Sequence, residues 1–110
     1  MKTHERIDVN SRINAKYLRG LSEYSNARQI KQIGSRQLFT VITDKAELLV
    51  SYKTVIALRP MGTSKFFVDD HRYSVTTTRQ LNYFINEYKD FFTFETVNSS
   101  IFDTMKNKYC

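Results

Sequence analysis

Apolar positions change period within residues 65–88, KFFVDDHRYSVTTTRQLNYFINEY, and the change marks the boundary between two elements. Phe66 and Val68 alternate toward one face, Asp69-Asp70-His71 supplies a turn, and Tyr73 and Val75 resume the alternation, the pattern of a short hairpin. Leu81, Phe84, Ile85 and Tyr88 then fall at i, i+3, i+4 and i+7, the stripe of an amphipathic helix expected over about 77–89. Thr77, with Gln80 three positions on, has the capping-box form that satisfies free N–H groups at a helix start.

Upstream the pattern is that of strands. LFTVIT (38–43) is rich in β-branched and aromatic residues, Asp44-Lys45 is a turn, and ELLVSY (47–52) follows. KTVIALRP (53–60) is apolar on both faces, as a central strand is, and Pro60-Met61-Gly62-Thr63 is the strongest turn signal in the chain. Downstream, FFTFETV (91–97) alternates as a returning strand, and Ser100 with Asp103 opens a short terminal helix carrying Ile101, Phe102 and Met105.

The N-terminal third is less regular. The first ten residues are polar and are expected to be frayed or adaptable. From Asn10 or Ser11 a helix is predicted, with Ile13, Tyr17, Leu21 and Tyr24 at helical spacing; Gly20 weakens it by roughly 1 kcal/mol relative to Ala. Residues 27–33 fit either a short strand or a helical turn, closed by Gly34. The expected fold is therefore α+β: an antiparallel sheet of four to six strands, the 77–89 helix across one face, an N-terminal helix and a short C-terminal one. A basic arm or helix over 1–27 precedes a single α+β domain over 28–110.

Several of these segments resemble a small uncharacterised domain of phages, prophages and plasmids of low-GC Gram-positive bacteria. The residues that carry the resemblance are Ser51-Tyr52-Lys53-Thr54 before Val55-Ile56-Ala57, and Tyr73-Ser74-Val75-Thr76-Thr77 leading into Gln80-Leu81. Gln32-Ile33-Gly34-Ser35 before Leu38-Phe39-Thr40 also fits, so that the resemblance covers residues 28–88. Gln80 departs from the histidine that relatives often place there. The resemblance implies an accessory protein of a mobile element, working in the bacterial cytoplasm, and implies no chemistry.

Composition narrows the function classes. The 110 residues carry 17 Lys/Arg against 11 Asp/Glu, a net charge of +6. From Met1 to Gln37 stand Lys2, Arg6, Arg12, Lys16, Arg19, Arg28, Lys31 and Arg36 against Glu5, Asp8 and Glu23, so that +5 of the excess lies in the first third. Segregated positive charge is the footprint of a nucleic-acid or acidic-surface binder; a solvated helix face is the plainer alternative. The longest apolar run, Val55-Ile56-Ala57-Leu58, is far below the ~20 residues of a membrane helix. MKTHERIDVN lacks a secretory h-region, and the lone Cys110 forbids an internal disulfide. A cytosolic protein is the simplest reading, with no membrane partner.

No catalytic constellation emerges. His4, His71 and Cys110 are scattered rather than spaced as zinc ligands, and Asp69-Asp70 is explained by a turn. Gly20, Gly34 and Gly62 are isolated, so there is no phosphate loop, and Ser74, Thr76, Thr77 and Thr78 match no known triad spacing. Neither an enzyme nor a cofactor is expected. A binding site is more plausible: helix-start N–H groups, threonine hydroxyls and the flanking Arg72 and Arg79 suit a phosphate, although a cap alone explains the motif. Tyr17, Tyr24 and Tyr52 stand near basic residues as base-stacking rings do, but Tyr17 and Tyr24 also lie on the apolar helix stripe. Arg12, Lys16, Arg19, Arg28, Lys31 and Arg36 complete the candidate binding set. Two expectations follow: a non-enzymatic binder of the DNA or RNA backbone, or an anti-defence inhibitor, for example anti-CRISPR or anti-restriction, directed at a host bacterial protein.

Overall fold

The computed structural model describes residues 4–7, 28–34, 37–52 and 54–109. They form a seven-stranded sheet in chain order: β1 (His4–Ile7), β2 (Gln29–Ile33), β3 (Leu38–Ile42), β4 (Ala46–Ser51), β5 (Thr54–Pro60), β6 (Lys65–Asp69) and β7 (Thr93–Val97). Helix α1 (Val75–Tyr88) connects β6 to β7, and α2 (Ser99–Tyr109) follows. The α+β class stands, and most of the sheet is antiparallel, but β6 and β7 pair in parallel, with Phe66 opposite Phe94. A purely antiparallel sheet of four to six strands is thus corrected to a mixed sheet of seven. The direction of β7 follows from its connection: a parallel neighbour needs a long crossover, and α1 provides it.

Two expectations on the N-terminal third are decided. Residues 27–33 contain a strand, β2, with Ile30 buried on one face of the sheet and Ile33 on the other. The first ten residues, read as frayed or adaptable, contribute β1, which pairs with β2 from His4 opposite Ile33 to Ile7 opposite Ile30. The helix expected from Asn10 or Ser11 to Tyr24 lies outside the described residues.

Each helix covers one face. On the α1 side, Phe84 packs with Ile33, Leu38, Leu49, Ile56, Ala57, Phe66 and Val68. On the other, Phe102, Met105 and Tyr109 of α2 pack with Phe39, Val41, Leu48, Val50, Val55 and Leu58. Val50 pairs with Val55 but Leu49 with Ala57, so Ile56 is an extra residue, and the bulge lets Ile56 and Ala57 both face α1. Phe66 anchors this layer. Its ring meets Phe84 and Phe92 edge-on at 5.2 Å and stacks on Phe94 at 5.5 Å. Burying one such ring contributes roughly 1.5–3 kcal/mol. The Arg59 guanidinium lies 5.0 Å from the Phe92 centroid and pairs with the buried Glu47 at 2.8 Å, closing the layer near the far end of β5.

The entry to α1 differs from the hairpin expected there. The Asp69 carboxylate accepts from the His71 N–H at 3.0 Å and from the Tyr73 hydroxyl at 2.9 Å, which curls the chain after β6 and prevents a second strand arm. Val75 opens the helix instead of continuing a strand. Ser74 rather than Thr77 is the cap: its Oγ accepts from the Thr77 N–H at 3.2 Å. Similarly, α2 starts on Asn98, whose Oδ1 accepts from the Ile101 N–H at 2.9 Å, and not on Ser100.

Candidate functional site

Alternation of strand direction carries the β2–β3 and β4–β5 turns, the end of β6 and the start of α1 to one end of the sheet. Three contacts tie them together. The Tyr52 N–H donates to the Gln37 carbonyl at 2.7 Å, joining the two turns. Gly34, at φ +60°, lies against Tyr83 of α1 so closely that a Cβ there would stand 2.8 Å from the ring. The third contact is a buried polar cluster: Ser51 Oγ lies 3.1 Å from Thr77 Oγ1 and donates to Gln80 Oε1. Ser51 has one hydroxyl proton, so giving it to Gln80 makes Thr77 the donor toward Ser51. All three side chains are at least nine-tenths buried. The cluster bolts the tip of the β4–β5 hairpin to the second turn of α1.

Tyr52 stands on that bolt. Ser51 pairs with Thr54, leaving a two-residue turn whose first member is Tyr52, at φ +58°. Such turns usually take Asn, Asp or Gly, because a side chain in the left-handed region costs roughly 1–2 kcal/mol. Local strain of this kind persists only where the surroundings over-determine it, and here the Ser51 cluster beneath does so. The residue is 48% exposed, and among the described residues its ring meets no other ring and its hydroxyl bonds to nothing.

Arg72 and Arg79 flank the same helix entrance. Both are exposed, and among the described residues neither has an ion-pair partner. Arg28 stands at the opposite end of the sheet, where its Nη1 lies 3.2 Å from the Asp44 carboxylate in a solvent-exposed pair. Lys31 lies mid-strand on β2, opposite Thr40, and is half-buried. Arg12, Lys16, Arg19 and Arg36 lie outside the described residues, as do Tyr17 and Tyr24. The candidate residues that fall at this end of the sheet are therefore Tyr52, Arg72 and Arg79; Arg28 is not among them. Ser51 and Gln80, which hold the site in shape, carried only a motif match and a capping role in the sequence.

A second polar group closes the β6–α2 corner. Asp69 accepts from Ser99 Oγ at 2.7 Å as well as from His71 and Tyr73. Burial pushes its carboxyl upward, but the hydrogen bonds from Ser99, His71 and Tyr73 outweigh this and hold it below the ordinary value. Burial, the bond to Asp69 and its charge push the Tyr73 phenol up. An ionised acceptor and a neutral donor make a clasp between β6, the following loop and α2, not an acid–base pair for chemistry near neutrality. Among the described residues no three metal-ligating side chains converge, and no helix is long and apolar enough to cross a membrane.

Residues 15–103 match the model of a family of unknown function, DUF8033. The chain belongs to that family. The matched span contains the whole of the site just described, from Gly34 through Ser51 and Tyr52 to Arg79 and Gln80. It also runs beyond the 28–88 segment that carries the resemblance noted in the sequence, taking in β7 and the first part of α2. No curated protein and no solved structure matches the chain.

Proposed function

We propose that this member of the family is a non-enzymatic nucleic-acid-binding accessory protein of a phage or plasmid, acting in the bacterial cytoplasm. Phosphates of the ligand lie against Arg72 and Arg79 at the α1 entrance, while the basic N-terminal residues Arg12, Lys16, Arg19 and Arg36 extend the contact. The observation that carries this reading is that two exposed arginines lacking ionic partners among the described residues lie at the same end of the sheet as an exposed tyrosine. The net charge of +6 works in the same direction, favouring association with a polyanion.

A mobility-shift titration with DNA and RNA at two salt concentrations tests it. Binding is expected to weaken steeply with salt, and the double variant Arg72→Ala/Arg79→Ala to reduce the log–log salt slope by about 2. Absence of any shift at low salt, or an unaltered slope in the variant, ends the proposal.

A second reading, an anti-defence inhibitor of a host protein, draws on the exposed Phe91 and Val75, which are 71% and 70% accessible. Exposed aromatic and aliphatic anchors are what a protein interface uses. Stoichiometric retention of one host protein after nuclease treatment of the lysate, with no nucleic-acid binding by the pure protein, would favour it over the first.

A further inference from the structure

Building on the nucleic-acid reading above, we infer that Tyr52 is a stacking platform for an unpaired base, so that the ligand is single-stranded. Neither turn chemistry nor packing accounts for a tyrosine here. The two-residue turn between Ser51 and Thr54 would be better served by Asn or Gly at φ +58°, and the residue is half exposed, without a ring neighbour among the described residues. A ring at a hairpin tip meets a base only if that base shows its face, which a duplex hides within its stack. Single strands expose those faces, and proteins that hold them combine aromatic platforms with cations along the backbone. Arg72 and Arg79 supply such cations at the same end of the sheet. The tip is also ordered in advance: Ser51 is held by Thr77 and Gln80, and the Tyr52 N–H by the Gln37 carbonyl. Pre-ordering lowers the entropy lost when a ligand docks.

The test compares binding of oligothymidylate, oligouridylate and a mixed-sequence duplex of equal length by the full chain and by Tyr52→Phe, Tyr52→Ala and Tyr52→Gly. The glycine variant keeps the left-handed turn without strain, so a folded protein lacking the ring is available even if the alanine variant is unstable; thermal melting verifies this. Phenylalanine is expected to retain single-strand affinity. Alanine and glycine are expected to lose roughly tenfold or more, with duplex affinity unchanged. Unaltered single-strand binding in Tyr52→Gly, or a preference of the full chain for duplex, overturns this inference while leaving the nucleic-acid reading in place. No binding of any oligonucleotide by the full chain at low salt overturns both.

Discussion

Removing one oxygen, that of Ser51, tests whether the hairpin tip and α1 are held as a unit. In Ser51→Ala both bonds of the cluster vanish, and the Thr77 hydroxyl, 8% exposed, loses the acceptor it donates to. A neutral hydrogen bond contributes a net ~0.5–1.5 kcal/mol, and a stranded buried hydroxyl costs ~1–3 kcal/mol. Thr77 lies near the surface of the layer, which places its penalty at the low end, so the expected total is about 2–3 kcal/mol. Thr77→Val removes its hydroxyl but leaves the Ser51–Gln80 bond, and should cost about 1 kcal/mol. In the double variant there is no stranded Thr77 hydroxyl. The combined loss should therefore fall short of the sum by about 1 kcal/mol, the coupling expected of residues in one network. Urea unfolding of the four proteins measures this directly. Additive losses, or a Ser51→Ala cost below about 0.5 kcal/mol, would refute the claim that the cluster bolts hairpin to helix.

Two further predictions concern other buried polar groups. Thr40 Oγ1 on β3 is buried without a partner among the described residues, so Thr40→Val should raise stability by about 1 kcal/mol in the same assay; a loss instead would show that the hydroxyl is paired. For the Asp69 clasp, a carboxyl held below its unfolded value contributes stability above about pH 4, which is lost as pH falls through the folded value. Tyr73, raised above its unfolded value near 10, contributes below that pH and is lost on the alkaline side. Urea midpoints should form a plateau between these limits, and Asp69→Asn should flatten the acid limb; parallel profiles for the two proteins below pH 4 would rule out the clasp.

Residues whose role is local were legible in the sequence. The β-branched and aromatic content of LFTVIT, the both-faced apolar run before Pro60 and the 81–84–88 stripe each correspond to an element that formed. What escaped depended on distant partners. Ile30 and Ile33, three apart, are compatible with a helix turn; in a strand they point to opposite faces, and only a sheet covered on both sides buries both. Thr77 has the residue type of a cap, but the cap is Ser74, and Thr77 Oγ1 is turned toward Ser51, 26 residues upstream. The alternation of Tyr73 and Val75 was overridden by the Asp69 side chain. At the site, Tyr52 was visible as an aromatic beside cations, but its left-handed backbone and the cluster supporting it belong to the folded chain.

The chain-order sheet has a kinetic consequence. Strands β2 to β6 can zip together through successive neighbours, each step closing a short loop, whereas β7 reaches β6 only across the whole length of α1. The parallel margin thus joins after β2 to β6 and detaches before them. Amide protons of β7 should exchange with deuterium faster than those of β4 and β5, marking a subglobal opening that uncovers the Phe66 ring well before the rest of the sheet lets go.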